Sequence, residues 1–469
     1  MRALLRGPAH AIVAAVKAGE VSAREVAEAS IAIAEAENGA LGAFTDFTFA
    51  RALGEADTVD AAVRRGEPPP LAGLPYGVKN LFDMEGVTTR AGSLINRGEP
   101  PAGRDATLVS RLSAAGGLLL GALNMGEYAY DFTGENVHDG PSRNPHDPAR
   151  MSGGSSGGSG TAVAAGMVAA SLGSDTNGSI RVPSSFCGLF GLKPTFGRLS
   201  RAGTFPFCPS LDHLGPIARS ALDLALLFDA LEGPDPRDPA QAGRPPLAAV
   251  REIAKGAEGL RVAVAGGYFR ERAGPEAIAA VDRLAAALGA EREVILPEAA
   301  RARAAAYLVT TAESAALHLG RLRRRAADYD PETRDRFLSG AMVPAAWLVA
   351  AQRFRSWYRE AVRGVFETVD LLLAPATPFP ALPSGTRNVL LGGVEVPARP
   401  NIGIFTQPIS FVGLPVVAVP VWLPGASLPI GVQVIAPAWR EDLALRAAHQ
   451  LEMTGMAAAP VAAKEDMAA

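Results

Sequence analysis

A run of nine residues made only of serine and glycine, Ser152–Gly160, constrains the fold of this chain more than any other feature. Such a run is typical of a flexible linker, and linkers are flanked by polar residues. Here the run leads directly into TAVAAGMVAASLG, an apolar, alanine-rich segment suited to a buried helix. A glycine-rich turn that opens a buried helix presents backbone N–H groups to a ligand. The run therefore predicts a ligand-binding turn rather than a linker.

Composition excludes several classes of protein. The 469 residues include 45 Lys and Arg against 48 Asp and Glu, a net charge of −3, so we expect no nucleic-acid partner. A hydrophobic share of 48% is that of a folded chain with a core. Two cysteines, Cys187 and Cys208, are too few for a disulfide framework, and the N-terminus does not resemble a secretory signal. Both observations predict a cytoplasmic protein with reduced thiols.

One segment imitates a membrane span, because no charged residue occurs from Pro400 to Trp439. Prolines divide it into short runs such as Val416–Val419 and Ile430–Ile435. A membrane helix needs about 20 uninterrupted apolar residues, whereas buried strands are short and apolar throughout. We therefore expect central strands here and no contact with a membrane.

The pattern along the chain predicts one α/β domain with a helical insertion. Residues 1–70 form an N-terminal helical layer, in which Ser22 begins a capping box. Residues 71–232, called the signature segment below, alternate short apolar runs with turns marked by glycine and proline, as in a wound sheet. Residues 233–370, called the insertion segment, are rich in Arg and Ala and predict long helices. Residues 371–469 return to strand character and belong to the same α/β domain.

The insertion segment contains one strand candidate and one aromatic helix face. Leu260–Ala265 is the strand candidate. The helix face repeats at helical spacing through Trp347, Leu348, Ala351, Phe354, Trp357 and Tyr358. This spacing favours an apolar face that packs on the sheet over an aromatic cage for a ligand.

The chemistry of the serine–glycine run is not that of a phosphate cradle, because no Walker lysine stands at the required spacing. The run matches G-x-S-x-G through Ser155 and through Ser156, but a Ser/Gly repeat matches that pattern by chance. The preceding residues, HDPARM, do not predict the strand that a nucleophile elbow requires. Neither match indicates a serine hydrolase of that type.

A serine nucleophile needs a base, and none of the six histidines lies in an informative motif. His213, in SLDHLGP, is open to two interpretations, a pocket residue or a structural histidine. Lysine is the common substitute for histidine when its site keeps it neutral. Lys79 ends the apolar stretch LAGLPYGVK, and Ser179 follows Asn177-Gly178 at a turn whose backbone amides could converge on an oxyanion.

Taken together, GLPYGVKN, GGSSGGSG, GSDTNGSIRVPSSFCGLFGLKPT and DHLGPIARS resemble the amidase signature family over roughly residues 71–220. The resemblance implies an α/β amidase-signature fold, with a large mixed central β-sheet covered by helices on both faces. It implies an amidase that acts on linear C–N bonds other than peptide bonds. It also implies that neither a metal nor a cofactor is needed.

The same resemblance implies a Ser-cisSer-Lys triad and an acyl-enzyme. Lys79 matches the base, Ser155 the serine that follows a cis peptide bond, and Ser179 the nucleophile. The backbone N–H groups implied for the oxyanion hole are those of Thr176, Asn177, Gly178 and Ser179. One departure stands out, because many members carry glycine where this chain has Asn177, whose side chain is expected to narrow the pocket.

Further residues of these motifs have supporting roles in our interpretation, namely Ser156, Asp175 and Arg181. Arg181 is expected to form an ion pair with Asp175 rather than to bind substrate. His213 and Gln407 are the residues assigned to substrate binding.

Three stretches, SDTNGSIRVPSSFCGLFGLKPTFGRLSRAGTFPF, GALNMGEYAYDFTGENVHDGPSRNPHDPAR and IGIFTQPISFVGLPVVAVPV, most resemble the biuret and 1-carboxybiuret hydrolase branch of the family, from cyanuric acid degradation. This resemblance implies a small urea-like or carboxylated amide as substrate and the release of ammonia. It also implies a homodimer with a small accessory subunit. The alternatives are a broad aliphatic or aryl amidase, the glutamine-hydrolysing subunit of a tRNA-dependent amidotransferase, and a non-catalytic scaffold.

Overall fold

The structure is built around one large β-sheet. The computed structural model describes residues 1–462. The strands in that range, in chain order, are β1 (Phe44–Phe47), β2 (Leu74–Lys79), β3 (Gly117–Leu123), β4 (Arg143–Asn144), β5 (Asp147–Met151), β6 (Ala170–Asp175), β7 (Phe190–Lys193), β8 (His213–Ala218), β9 (Val262–Ala265), β10 (Arg292–Val294), β11 (Leu371–Pro375), β12 (Asn388–Leu391), β13 (Val394–Pro397), β14 (Val416–Val421) and β15 (Ile430–Ile435).

Helices occupy much of the remaining chain. Their bounds are α1 (Arg2–Arg6), α2 (Ala9–Lys17), α3 (Ala23–Leu41), α4 (Phe49–Arg64), α5 (Thr107–Ala114), α6 (Gly157–Ala164), α7 (Arg181–Cys187), α8 (Ala221–Leu231), α9 (Ala249–Ile253), α10 (Tyr268–Glu271), α11 (Pro275–Ala287), α12 (Ala299–Arg325), α13 (Pro331–Ala341), α14 (Ala345–Val365), α15 (Ala398–Asn401), α16 (Gln407–Val412) and α17 (Glu441–Met453). The predicted capping box is present at the start of α3, where Ser22 accepts a hydrogen bond from the Glu25 N–H.

Eleven strands lie side by side in the order β1-β3-β2-β6-β8-β7-β14-β15-β11-β9-β10. β2 runs parallel to β3 and β6, and β9 runs parallel to β10 and β11. The other pairs in this sheet are antiparallel. Every residue of β6, β8, β14 and β15 is buried, so helices and loops cover both faces of the sheet. This is the large mixed sheet of the expected α/β class.

All four sequence segments contribute strands to this sheet. β14, from the last segment, pairs with β7 of the signature segment, and β9, from the insertion segment, pairs with β11. The N-terminal helical layer also contains a strand that was not predicted, because β1 pairs with β3 at the sheet edge. With four residues, β1 is too short to produce a clear alternating pattern.

The charge-free segment from Pro400 to Trp439 folds into α16, β14 and β15, with buried strands as predicted. Within residues 1–462, no helix combines the length and the apolar character needed to cross a membrane.

Two local expectations need correction. The residues HDPARM do contain a strand, since β5 pairs with β4, but this small hairpin lies outside the large sheet. The aromatic face of α14 packs mainly against α12 and α16. Tyr358 is buried there, whereas Trp347 and Trp357 are 59% and 50% exposed. The helix therefore covers other helices instead of resting on the sheet.

Candidate active site

Lys79 is the last residue of β2, where the strand ends beneath the serine–glycine run. Its side chain is fully buried, and Nζ lies 2.6 Å from Ser155 Oγ and 2.8 Å from Ser174 Oγ. Burial lowers the pKa of Lys79 to about 7, although the carboxylates of Asp175, Asp212 and Asp131 act in the opposite direction. A substantial fraction of Lys79 is therefore a neutral amine near neutral pH, and only the neutral amine can accept a proton.

The serine–glycine run is buried along its whole length, which confirms that it is not a linker. The peptide bond between Gly154 and Ser155 is cis. A Cβ atom on Gly158 would lie 2.4 Å from both Ala43 O and Asn124 N, so only glycine fits against this neighbouring backbone. The neighbouring backbone thus leaves no room for a side chain at Gly158. The Ser155 hydroxyl points to Lys79.

Ser156 contacts a different group from its neighbour Ser155. Its hydroxyl donates to Ser174 O at 3.2 Å, at the end of β6. Because Ser174 Oγ also contacts Lys79, Ser156 helps to fix the strand end that surrounds the lysine.

Ser179 lies in the turn from β6 to α7, which also contains Thr176, Asn177 and Gly178. Gly178 has φ +145°, and a Cβ atom there would collide with Thr406 Oγ1. The same Thr406 hydroxyl donates to Asn177 O at 2.5 Å. Thr406, from the last segment of the chain, therefore fixes the backbone of the turn just before Ser179.

Arg181 and Asp175 form a buried ion pair, as predicted. The guanidinium donates through Nε and Nη2 to the two carboxylate oxygens, each at 2.9 Å. The carboxyl group is fully buried, which opposes ionisation, yet the Arg181 guanidinium holds the pKa of Asp175 well below its usual range. Arg181 also donates to Thr406 O at 3.1 Å. The pair supports the turn, and neither residue lines the cavity described next.

A cavity of about 530 Å³ opens in front of Ser179. The signature, insertion and last segments all contribute to its walls. Its lining residues are Ala129, Tyr130, Asp131, Phe132, Thr176, Asn177, Ser179, Phe207, Ala300, Arg303, Ala304, Tyr307, Leu308, Thr310, Arg336, Trp347, Pro400 and Gln407. The volume suits a small molecule.

The two residues assigned to substrate binding have different surroundings. Gln407 lines the cavity, and its Oε1 accepts a hydrogen bond from Arg303 Nε at 2.9 Å. His213 is not among the lining residues. Its Nδ1 lies 2.6 Å from Leu211 O, and burial lowers its pKa well below the usual value. His213 therefore fits the structural interpretation better than the pocket one.

Comparison with known proteins identifies the family of this chain. The model of the family described as "Amidase" matches residues 25–445. This chain belongs to the amidase family. It is an enzyme, an amidase that acts on C–N bonds.

Among curated proteins, this amidase is 55% identical to AtzE, the 1-carboxybiuret hydrolase subunit of Pseudomonas sp. (strain ADP), over 95% of this chain and 98% of that protein. It is 37% identical to a glutamyl-tRNA(Gln) amidotransferase subunit from Koribacter versatilis, over 93% and 96% of the two chains.

Among solved structures, the amidase superposes with a TM-score of 0.95 on a chain from a vestigial protein complex described as revealing the evolutionary origins of an s-triazine catabolic enzyme. The two are 54% identical, over 96% of this chain and 99% of the other. A bacterial aryl acylamidase matches with a TM-score of 0.87 at 28% identity, over 95% and 96% of the two chains.

Sequence reasoning missed several cavity residues of this amidase, above all Arg303. It lies on α12, and its Nη2 donates to Asn401 Oδ1 at 2.8 Å. No carboxylate of residues 1–462 lies within ion-pair distance of Arg303. Burial lowers the pKa of this arginine, which is the expected effect of removing a cation from water. The insertion segment contains many arginines, and the sequence around Arg303 does not distinguish it from the others.

The structure places no group of three or more His, Cys, Asp or Glu side chains suited to hold a metal ion anywhere in residues 1–462.

Proposed function

We propose that this amidase hydrolyses a small, carboxylated, urea-like amide of the 1-carboxybiuret type and releases ammonia. The observation that carries the proposal is Arg303, a largely buried cation without a carboxylate partner in residues 1–462, in the wall of the cavity that also contains Ser179. The relative that is 55% identical is named a 1-carboxybiuret hydrolase subunit, which supports the same substrate class.

The proposed mechanism uses Lys79, Ser155 and Ser179 as a proton relay. Neutral Lys79 accepts a proton from Ser155, and Ser155 accepts one from Ser179 as the Ser179 oxygen attacks the substrate carbonyl. The contact of 2.6 Å between Lys79 Nζ and Ser155 Oγ and the lowered pKa of Lys79 support the first step.

In the proposed oxyanion hole, backbone N–H groups of Thr176, Asn177, Gly178 and Ser179 stabilise the negative charge that develops on the carbonyl oxygen. The relay returns its proton to the departing nitrogen, so that ammonia leaves and an acyl-enzyme on Ser179 remains. Water then attacks the acyl group while the relay takes up the water's proton, and the carboxylic acid product is released with Ser179 restored.

The charge of the cavity favours an anionic substrate. Arg336 also lines the cavity, where it donates to Tyr130 O at 3.1 Å, and no ion pair involving it is found in residues 1–462. Asp131, the one carboxylate among the cavity-lining residues of 1–462, already accepts hydrogen bonds from the N–H groups of Thr133 and Gly134 at 2.8 and 2.7 Å. Arg303 and Arg336 carry two positive charges, and Asp131 carries one negative charge that is already hydrogen-bonded. The wall therefore has a net positive charge, which is suited to a substrate carboxylate.

We also propose protein partners and a cellular location for this amidase. We infer a homodimer with a small accessory subunit, because the name of the 55% identical relative is that of one subunit, and because the chain with a TM-score of 0.95 comes from a protein complex. A cytoplasmic location is supported by Cys187 and Cys208, which are free thiols buried in the fold.

A second candidate is glutamine hydrolysis for a tRNA-dependent amidotransferase. It is favoured by the relative of 37% identity with that name, and Arg303 would also suit the carboxylate of glutamine. A broad aryl amidase is less well supported, because the bacterial aryl acylamidase is 28% identical to this chain, against 55% for the 1-carboxybiuret hydrolase subunit.

Ammonia release tests the proposal directly. Purified enzyme is assayed on 1-carboxybiuret, biuret, glutamine and an arylamide, alone and with any small protein encoded beside it, and Ser179→Ala is assayed in parallel. We expect the highest kcat/KM on the carboxylated urea, no turnover by Ser179→Ala, and fluorophosphonate labelling of the wild type only. A highest kcat/KM on glutamine, or turnover by Ser179→Ala, would contradict the proposed substrate or mechanism respectively.

A further inference from the structure

The carboxamide of Gln407 has one orientation that suits its neighbour Arg303. Gln407 is the first residue of α16, is 5% exposed, and lines the cavity in front of Ser179. One atom of its carboxamide lies 2.9 Å from Arg303 Nε. A guanidinium nitrogen donates hydrogen bonds and accepts none, so this atom is the oxygen Oε1. The other atom of the carboxamide is therefore the amide nitrogen Nε2.

This amide nitrogen is free to bind a ligand. Gln407 Nε2 makes no hydrogen bond with any group of residues 1–462. It is not one of the buried side-chain atoms without a partner in that range, so part of its surface is accessible. The cavity is the open space that Gln407 contacts. Two N–H donors are thus available to a substrate there.

Arg303 is held by the same part of the chain. Its Nη2 donates to Pro400 O at 3.1 Å and to Asn401 Oδ1 at 2.8 Å, while Nε donates to Gln407 Oε1. Nη1 takes part in none of these bonds. The guanidinium is therefore fixed along the edge formed by Nε and Nη2, and Nη1 is the nitrogen left for a substrate.

The chemistry of this pair distinguishes a carboxylate from a carboxamide. Arg303 Nη1 and Gln407 Nε2 carry donors and no acceptor. A carboxylate has two accepting oxygens, one for each nitrogen. A carboxamide has one oxygen, and its own N–H groups would face a donor. Such a site attracts the carboxylate and disfavours the carboxamide, because donors that remain unpaired cost free energy.

We propose that Gln407 is a specificity-determining residue, with Nε2 and the Arg303 guanidinium each binding one oxygen of the substrate carboxylate. Asn401 is a positioning residue, because it acts through Arg303. This inference rests on the proposed function, which assigns the substrate carboxylate to Arg303. It adds the residue that rejects a neutral group at the same place.

Two nearly isosteric ureas test this assignment. Triuret matches 1-carboxybiuret except that a carboxamide replaces the carboxylate. The measurement is kcat and KM of the wild type and of each variant on both ureas, followed by loss of the urea. The result is the ratio of the two kcat/KM values, so that a general loss of activity cancels. The rate of Ser179 labelling by a fluorophosphonate reports whether the turn is assembled in each variant.

Two substitutions of Gln407 have different expected results. Gln407→Met removes the donors and should shift the ratio about 10-fold towards triuret, mainly through KM, because one hydrogen bond to a charged group is lost. Gln407→Glu keeps the acceptor for Arg303 Nε and places a second acceptor where Nε2 stood. This acceptor repels a carboxylate and suits an N–H group, so we expect a shift of about 100-fold or more.

Asn401→Asp is the matched control. It also places a carboxylate against Arg303, but Asn401 does not line the cavity. We expect a shift of about 10-fold or less, since only the charge of Arg303 is offset. A shift as large as that of Gln407→Glu would show that Gln407 Nε2 does not contact the substrate and would overturn its role.

The outcomes separate this inference from the proposed function. An unchanged ratio in Gln407→Met and Gln407→Glu would overturn the role of Gln407, and a wild type that prefers 1-carboxybiuret would leave the proposed function standing. A wild type that hydrolyses triuret as well as 1-carboxybiuret, or hydrolyses neither, would overturn both.

Discussion

The signature segment (residues 71–232) and the insertion segment (residues 233–370) contribute to the same cavity in different ways. The signature segment supplies Lys79, Ser155 and Ser179 from fully buried strand ends and turns. The insertion segment supplies Arg303 and Thr310 from α12, a helix with an exposed side. In the proposed mechanism, the groups that move protons are held at strand ends and turns of the sheet, whereas Arg303, proposed to bind the substrate carboxylate, lies on a helix packed over it. Selectivity can therefore change through α12 without disturbing the relay.

The largest effect that tests this contrast is expected from Lys79→Met, which keeps most of the length of the side chain but removes the proposed base. We expect kcat/KM to fall about 100- to 10,000-fold, as is typical when a general base is lost. The wild-type rate should rise with pH through about 7, because protonated Lys79 cannot accept a proton and the pKa of this residue is lowered to that value. A pH–rate profile of both proteins measures this.

Lys193 is the matched control, because burial also lowers the pKa of this lysine to about 7. It donates to Leu414 O and to Pro194 O, away from the cavity. Lys193→Met should lower stability and keep the inflection of the pH–rate profile. If the inflection disappeared in Lys193→Met and persisted in Lys79→Met, the signature segment would use a different base.

A second test is made within the serine–glycine run, where two adjacent serines have different contacts. Ser155→Ala removes the hydroxyl next to Lys79 Nζ and should lower kcat about 100- to 1,000-fold, because the proposed relay is interrupted. Ser156→Ala loses the bond that the hydroxyl donates to Ser174 O at 3.2 Å and the one that it accepts from the Ser174 N–H at 3.4 Å, so we expect a loss below about 10-fold, as for weak neutral hydrogen bonds. Steady-state kinetics on one substrate compares them, and similar losses would mean that Ser155 is not part of the relay.

The third test addresses the insertion segment. Arg303→Gln removes the cation that has no carboxylate partner in residues 1–462 and should lower kcat/KM for 1-carboxybiuret about 10–100-fold, since a hydrogen bond to a charged group is lost. Neutral biuret should be affected far less. Arg301→Gln is the control, because Arg301 lies on the same helix with its side chain 66% exposed. A uniform loss on both substrates would assign Arg303 to packing rather than to carboxylate recognition.

The smallest effect is expected from Thr406→Val, which tests the contact between the last segment and the turn that contains Ser179. The variant keeps the shape of the side chain and loses the hydrogen bond to Asn177 O. We expect kcat to fall about 2–10-fold, as for one neutral hydrogen bond. Rates and the midpoint of thermal unfolding are measured together, and an unchanged rate with a lowered midpoint would show that Thr406 serves stability alone.

The sequence predicted the signature segment far better than the insertion segment, and the reason is physical. Glycines such as Gly158 are required by close backbone contacts, so the turn around Ser155 has a recognisable local composition. Arg303 and Thr310 reach the cavity only through the packing of α12. The same helix also contains Arg301 and Thr311, so residue type does not distinguish the two cavity residues in the sequence. His213 lies in a motif and was open to assignment as a pocket residue, although its contacts are to the carbonyl groups of Leu211 and Asp175.

Strands of the central sheet were predicted where they are fully buried, as with β14 and β15, because continuous apolar runs bounded by proline are a strong signal. β1 was missed, since four residues at a sheet edge show neither a long apolar run nor a clear alternation. β5 was missed because its residues, DPARM, form no apolar run and lie in a hairpin outside the large sheet.

The hydrogen bonds from Arg181 to Thr406 O and Gln433 Oε1 have a consequence for biosynthesis. A ribosome completes Ser179 well before it reaches Thr406, a delay of roughly 10–50 s at ordinary rates of elongation. During that interval the nascent chain contains all three groups of the proposed relay but lacks the partners that brace the turn. We expect ribosome-bound chains that end before residue 400 to resist fluorophosphonate labelling, and labelling of such chains would show that the turn assembles without its last segment. Translation order would then keep this nucleophile unreactive until the enzyme is nearly complete.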